Sequence, residues 1–409
     1  MALGREEKKT QSESENDDEE QEKRNKKEEN KLRGWKKKDP VDGGRGYYSN
    51  YFSHRVKHLQ VVLDHLRHGH QQQQRDSSSS IVGGEGASRG IIFLAGDSSF
   101  DNKCWFSDSA SAVNGMEDIL SPPVSKMDIA HHLNCEAVRR GSGLAAINCA
   151  IEESTVGDRA CGRLKEHDVF LRDNVTSNDI VCISVGGNDI ALKPSLPTII
   201  NILLVTCCTT NSCLESCACG TACPCDDCCC GFGPSCASNV CAWPCGFGYF
   251  IHLFRTRIQA FATNLLSGRN KPKRLLICMI YYLDEVPGGS WADFTLNKLG
   301  YDANPKKLQI LIRKMFAAAT EQIRVEGTEV VAVPLFAALD GKISADYSQR
   351  VEPSPQGGAK MARLIFDACT APTTEEARKM MRDAAALNTT LGDGAAAAAS
   401  YQQGTGMQR

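Results

Sequence analysis

The chain has 409 residues and a formal charge of −2, from 47 Lys and Arg against 49 Asp and Glu. That balance excludes a basic nucleic-acid binder, and no run reaches the roughly 18 uncharged apolar residues of a membrane span. Residues 1–9 carry charges with no apolar stretch behind them, so a secretory signal is not expected.

Residues 1–46 hold 13 Lys and Arg and 13 Asp and Glu with few apolar side chains. Such a segment cannot bury enough surface to offset its chain entropy, and it reads as a disordered tail. Val56, Leu59, Val62 and Leu66 repeat at helical spacing. They predict a short helix, followed by a Gln-, Ser- and Gly-rich linker, over 47–89. From Gly90 strands and helices alternate. Apolar runs at 91–94, 144–147, 180–185, 275–280 and 330–333 predict five buried strands. Met127, Ala130, Leu133 and Ala137 mark one helix. Asn304-Pro305 reads as an N-cap and first helical residue, with the helix running through Ile323 to a stop at Gly327. Met361, Leu364 and Ile365 face inward from a last helix. The folded domain is placed at 90–370, with a cysteine-rich insertion at 206–246. A C-terminal tail follows at 371–409, beginning with a helical stretch. Strands separated by helices imply a parallel sheet covered on both faces, with a site beyond the strands' carboxyl ends.

Two strands end in chemistry. The first leads into Gly96-Asp97-Ser98-Ser99, where a turn can expose the Ser98 hydroxyl. The third leads into Gly186-Gly187-Asn188-Asp189, where the Asn188 amide can face a developing oxyanion. With these two blocks the chain resembles the SGNH (GDSL) hydrolase superfamily. Val351-Glu352-Pro353-Ser354-Pro355-Gln356-Gly357 is similar to the family's last block. Longer strings such as GDSSFDNKCWF, SVGGNDIAL and VEPSPQGGAKMA resemble a protist branch with a cysteine-rich insertion. The resemblance spans about 90–369. It implies a flavodoxin-like three-layer α/β/α sandwich and hydrolysis of a small-molecule or lipid ester; no cofactor and no metal are expected. It makes Ser98 the nucleophile and Asn188 the oxyanion donor, beside Asp97 and Gly187.

Three positions depart from the family pattern. Glu352 stands where the family has its catalytic His, and Gln349 where it has Asp; Asp346 is the nearest acid. In the second block, Glu153 takes the place of a Gly whose N–H completes the oxyanion hole. None of the nine histidines follows the fifth strand. The reading is therefore an ester hydrolase in which Glu352, oriented or tuned by Asp346, replaces imidazole. The alternatives are a binding or scaffold protein that has lost turnover, and an acyltransferase.

Of the 20 cysteines, 13 fall between Cys207 and Cys245. Their spacing is not that of a zinc ribbon. Bound zinc, disulfides and lipidation compete as explanations. The apolar flanks at 199–205 and 247–254 favour contact with a membrane surface through Cys207–Cys245. A cytoplasmic or membrane-peripheral location would follow. No nucleic-acid partner is expected.

Overall fold

The computed structural model describes residues 46–77, 89–207, 209–221 and 242–391. The charged tail, most of the linker, the densest part of the cysteine run and the end of the chain lie outside them.

Five strands form one parallel sheet. In chain order they are β1 (Ile91–Gly96), β2 (Ala145–Asn148), β3 (Ile180–Ser184), β4 (Arg274–Met279) and β5 (Val330–Pro334). Their order across the sheet is β2-β1-β3-β4-β5. Every neighbouring pair is parallel, with Ile92 opposite Ile180 and Leu275 opposite Val330 among the partners. This is the flavodoxin-like order.

The strand period of two divides the apolar residues between two faces. Ile91, Phe93, Val181, Ile183, Leu275 and Ile277 serve one core. Ile92, Leu94, Cys182, Leu276, Val331 and Val333 serve the other. The first face is covered by several helices. These include α1 (Val56–Ser77), α3 (Glu166–Asn174), α7 (Phe247–Ile251), α8 (Ile258–Leu265) and α10 (Pro305–Ala318). On the second face lie α2 (Ile129–Arg139), α11 (Pro355–Thr370) and α12 (Thr374–Leu391). The result is a three-layer α/β/α sandwich. Strands walled on both sides must be apolar at every position, which is why they read as continuous runs.

The core extends past 90–370 in both directions. Leu59, Val62, Leu63 and Leu66 of α1 are buried on one face of the sheet, and Ala377 and Met381 of α12 on the other. α10 also differs from its expected course. It ends at Ala318, and Ala319 (φ −121, ψ −69) breaks it before a short 3-10 turn at Thr320–Gln322. Asn304 does not cap the helix with its side chain. Its amide instead exchanges two 3.1 Å hydrogen bonds with Asn211.

After β3 come α4 (Gly187–Ala191) and α5 (Leu196–Cys207), which leads into the insertion, where α6 (Asn211–Cys217) lies. A two-stranded antiparallel ribbon follows, pairing Cys219–Gly220 with Ala242–Trp243. No single helix among the described residues is long and apolar enough to cross a membrane; α5 and α6 together meet the composition but bend by 101°. Cys207, Cys213, Cys217, Cys219 and Cys245 are free thiols. The cysteines at 208 and 223–241 lie outside the described residues.

Candidate active site

The loops at the carboxyl ends of β1, β2, β3 and β5 meet in one place. Two glycines set the backbone there. Gly96 closes β1 at φ +131, and a Cβ on it would lie 1.7 Å from the Ser184 carbonyl oxygen. Gly186, at φ +113, starts α4; a Cβ there would meet the Phe254 ring at 2.9 Å. Both are conformations that only glycine adopts readily.

Ser98 follows Gly96 and is buried. Its hydroxyl donates to Glu352 Oε1 at 3.2 Å. Among the described residues no histidine hydrogen-bonds to it. Glu352 comes from the loop after β5, which folds back on itself through a bridge between Tyr347 and Pro353. Arg350 at its tip takes a left-handed φ of +62. Its guanidinium is clamped by Asp293, the first residue of α9 (Asp293–Lys298), at 2.9 Å and by Asp302 at 2.8 Å. The Tyr281 hydroxyl donates to the Val351 carbonyl at 2.6 Å, and Asn102 donates to that of Pro353 at 2.9 Å. The loop is thus anchored on both sides of Glu352.

The floor beneath this pair is acidic. Asp97 accepts from the Ser99 N–H at 3.0 Å, the Ser99 hydroxyl at 2.7 Å and the Gly186 N–H at 3.2 Å. Burial nevertheless raises it to about 6. Asp101 accepts from the Ser53 and Glu152 N–H groups, at 2.6 and 2.9 Å, and pairs with the buried Lys103 ammonium. Glu152 accepts from the Trp105 indole at 3.1 Å. The Oε2 atoms of Glu152 and Glu352 are both buried with no hydrogen-bond partner. An unpaired buried carboxyl favours its neutral form. Burial, then the charge of Asp97, push Glu352 up to about 8; the Ser98 hydrogen bond opposes them, and the Asp101 charge adds a smaller push. Glu152 is raised as well, by burial and by the charge on Glu352.

The expected oxyanion donors are near one another in the fold. Asn188 lies in the first turn of α4 after Gly187, and one of its amide protons is donated to the Ser154 carbonyl at 3.0 Å. That bond orients the side chain and leaves the second amide proton. Glu153 has φ +59, a left-handed conformation. Its carboxylate accepts from the Tyr51 hydroxyl at 3.3 Å and pairs with Lys193 at 3.6 Å. Among the described residues no acceptor takes the N–H of Ser98 or of Glu153.

Asp346, the acid expected to orient or tune Glu352, does not hold it by a hydrogen bond: its carboxylate accepts from Gln356 at 2.8 Å and Lys360 at 2.6 Å. Both donors sit on α11, so the acid fastens the loop to that helix. The sequence reading also missed Glu152, Asp101 and Lys103. Their signal was faint: two adjacent glutamates after a strand, and an acid and a lysine just past Ser98. Among the described residues no group of three His, Cys, Asp or Glu is placed to hold a metal ion.

No protein-family model and no curated protein matches the chain. Among solved structures it is similar to an acetyl xylan esterase from Geobacillus stearothermophilus. The identity is 16%, covering 68% of this chain and 92% of that one, with a TM-score of 0.35. It is also similar to phospholipase A1 from Streptomyces albidoflavus, at 10% identity over 69% of this chain and 100% of that one, with a TM-score of 0.36. An aryl esterase from M. smegmatis shows 12% identity over 69% and 100%, again with a TM-score of 0.36.

Proposed function

We propose that this protein hydrolyses carboxylic esters through Ser98, with Glu352 as the general base. The observation that carries the reading is the buried hydrogen bond from the Ser98 hydroxyl to Glu352. An ordinary carboxylate, with a pKa near 4.3, is a weak base for a hydroxyl at neutral pH. Burial among acids raises Glu352 into and beyond the range of imidazole, so the ionised carboxylate becomes a base of comparable strength. In the first half-reaction Ser98 Oγ attacks the ester carbonyl while Glu352 takes the hydroxyl proton. The carbonyl oxygen becomes an oxyanion, received by the Ser98 and Glu153 N–H groups and the second amide proton of Asn188. Glu352 then gives its proton to the leaving alcohol as the tetrahedral intermediate collapses. In the second half-reaction the same carboxylate takes a proton from water as it attacks the acyl-serine, then returns it to Ser98 Oγ as the acyl–oxygen bond breaks and the carboxylic acid leaves.

The test joins labelling and kinetics. A fluorophosphonate should label wild-type protein on Ser98, increasingly as pH rises through about 8. Ser98→Ala should abolish labelling, and Glu352→Gln should abolish turnover. Full esterase activity in Glu352→Gln would show that another group serves as base.

A second reading is favoured by the bond from Asn188 to Ser154: an amide committed in part to the backbone suits a binding pocket that no longer turns substrate over. Wild-type protein that takes no fluorophosphonate at any pH would support it. An acyltransferase would use the same residues with an alcohol in place of water. Contact of the insertion with a lipid surface is a separate proposal. It is supported by the outward face of α5, where Leu196, Ile199, Ile200 and Leu203 are exposed next to the Cys207 thiol. Co-sedimentation with phosphatidylcholine vesicles, lost in an Ile199→Glu, Leu203→Glu double variant, tests it.

A further inference from the structure

A cavity of about 270 Å³ lies among α4, α5, α7 and α10. Its walls include Ile190 of α4, Ile202 and Leu203 of α5, Phe250 of α7, and Leu311 and Met315 of α10. Most of the wall is apolar, with Thr206, Lys298, Tyr301 and Asn304 at it as well, and a mainly apolar space suits an apolar ligand. Lys307 also lines it, but its ammonium is held by the carbonyls of Thr206 and Thr209, the latter at 2.7 Å.

The place of this cavity relates it to the reacting groups. Ile190 stands two residues after Asn188 on the same short helix. Another wall is Tyr301, which the Arg350 guanidinium overlies at 6.0 Å. Arg350 stands two residues before Glu352. The cavity therefore adjoins both the element carrying the oxyanion donor and the clamp on the loop carrying the base. At its other edge Leu203 is 45% exposed and continues the outward apolar face of α5. Leu203 thus belongs both to the exposed face of α5 and to the cavity wall.

We propose that this cavity is the acyl-chain site of the ester substrate and takes an aliphatic chain of medium length. An acetyl group would leave most of it unfilled. The assignment rests on the ester-hydrolase reading for its role but on the cavity itself for its ligand. Each buried methylene should raise kcat/KM about fourfold, so four of them give about 250-fold.

The experiment compares p-nitrophenyl acetate, butyrate and octanoate as substrates of the full chain, and measures decanoate binding by calorimetry. Leu308→Trp fills the cavity from α10, and Leu203→Trp narrows its exposed mouth with little risk to folding. The octanoate ester should exceed the butyrate ester in kcat/KM by about 250-fold. Either variant should lower octanoate turnover at least tenfold, leave acetate turnover within about twofold, and weaken decanoate binding, with the thermal midpoint unchanged. Equal rates for acetate and octanoate, or equal loss of both in Leu203→Trp, would overturn the proposal. If decanoate binds wild type but not the variants while no ester is turned over and Ser98 stays unlabelled, the cavity assignment stands and the hydrolase reading falls. If acetate is turned over but decanoate does not bind, the hydrolase reading stands and the cavity assignment falls.

Discussion

Two sets of buried acids stand a short way apart in this fold, and they are treated differently. Asp168 is fully buried and meets the Arg159 guanidinium at 2.9 and 3.2 Å. Asp346 is buried and meets Lys360 and Gln356. Each has a cation beside it, and each ties one segment to another. Glu352 and Glu152 are buried too, but each keeps an oxygen with no partner. Lys103 brings a buried cation to their floor, but Asp101 holds it, and the buried Arg159 near Asp97 is held by Asp168. Matched acids brace the scaffold. Unmatched ones keep their protons to unusually high pH, which is a cost to the fold and an asset to proton transfer.

The contrast can be tested by changing one set at a time. The largest effect should come from the unmatched set. Ser98→Ala or Glu352→Gln should lower kcat/KM for a short-chain p-nitrophenyl ester by about 10⁴-fold or more, as loss of a nucleophile or base does in serine hydrolases. Next comes the matched set. Arg159→Leu strands the Asp168 carboxylate and should cost about 3–5 kcal/mol in urea unfolding.

The third test separates stability from activity. The raised value of Glu352 means that its neutral form is preferred in the fold. Its contribution is fully present below the unfolded carboxylate value near pH 4.5 and is lost as pH rises through about 8. Glu352→Gln should therefore be more stable than wild type at pH 9, by about 2–4 kcal/mol, with the gain vanishing near pH 4. A difference independent of pH between 4 and 9 would show that Glu352 is not held neutral by burial.

A smaller effect is expected at Asp97, the largest single charge acting to raise Glu352. Asp97→Asn should move the acid limb of the rate profile toward lower pH by about one unit. The smallest belongs to Asp346. Asp346→Asn should lower the thermal midpoint and leave the acid limb where it is, because its carboxylate is engaged with α11. A shifted limb would restore Asp346 as the residue tuning the base.

The fold was readable because parallel strands buried on both faces must be apolar throughout. The runs at 91–94 and 275–280 have no other simple reading. The blocks at Ser98 and Asn188 were readable because each closes such a run. Asp346 misled because closeness in sequence to Glu352 was taken as closeness in space, whereas the loop turns the two side chains toward different neighbours. Glu152 was passed over in favour of Glu153, since adjacent residues point apart and only the backbone reveals which one faces the floor. The packing of α1 was half legible. Its apolar spacing was plain, but nothing in a single sequence says which sheet face receives it.

That packing changes where the working unit begins. The Ser53 N–H donates to Asp101, the Tyr51 carbonyl accepts from Lys103, and the Tyr51 hydroxyl donates to Glu153. Tyr47 is buried in the same core as α1. A shortened protein started at Gly90 would carry every recognisable motif yet lack a donor to its acidic floor and one wall of its sheet. For anyone trimming this gene for expression, the safe cut lies ahead of Tyr47, some forty residues before the first strand that the eye picks out.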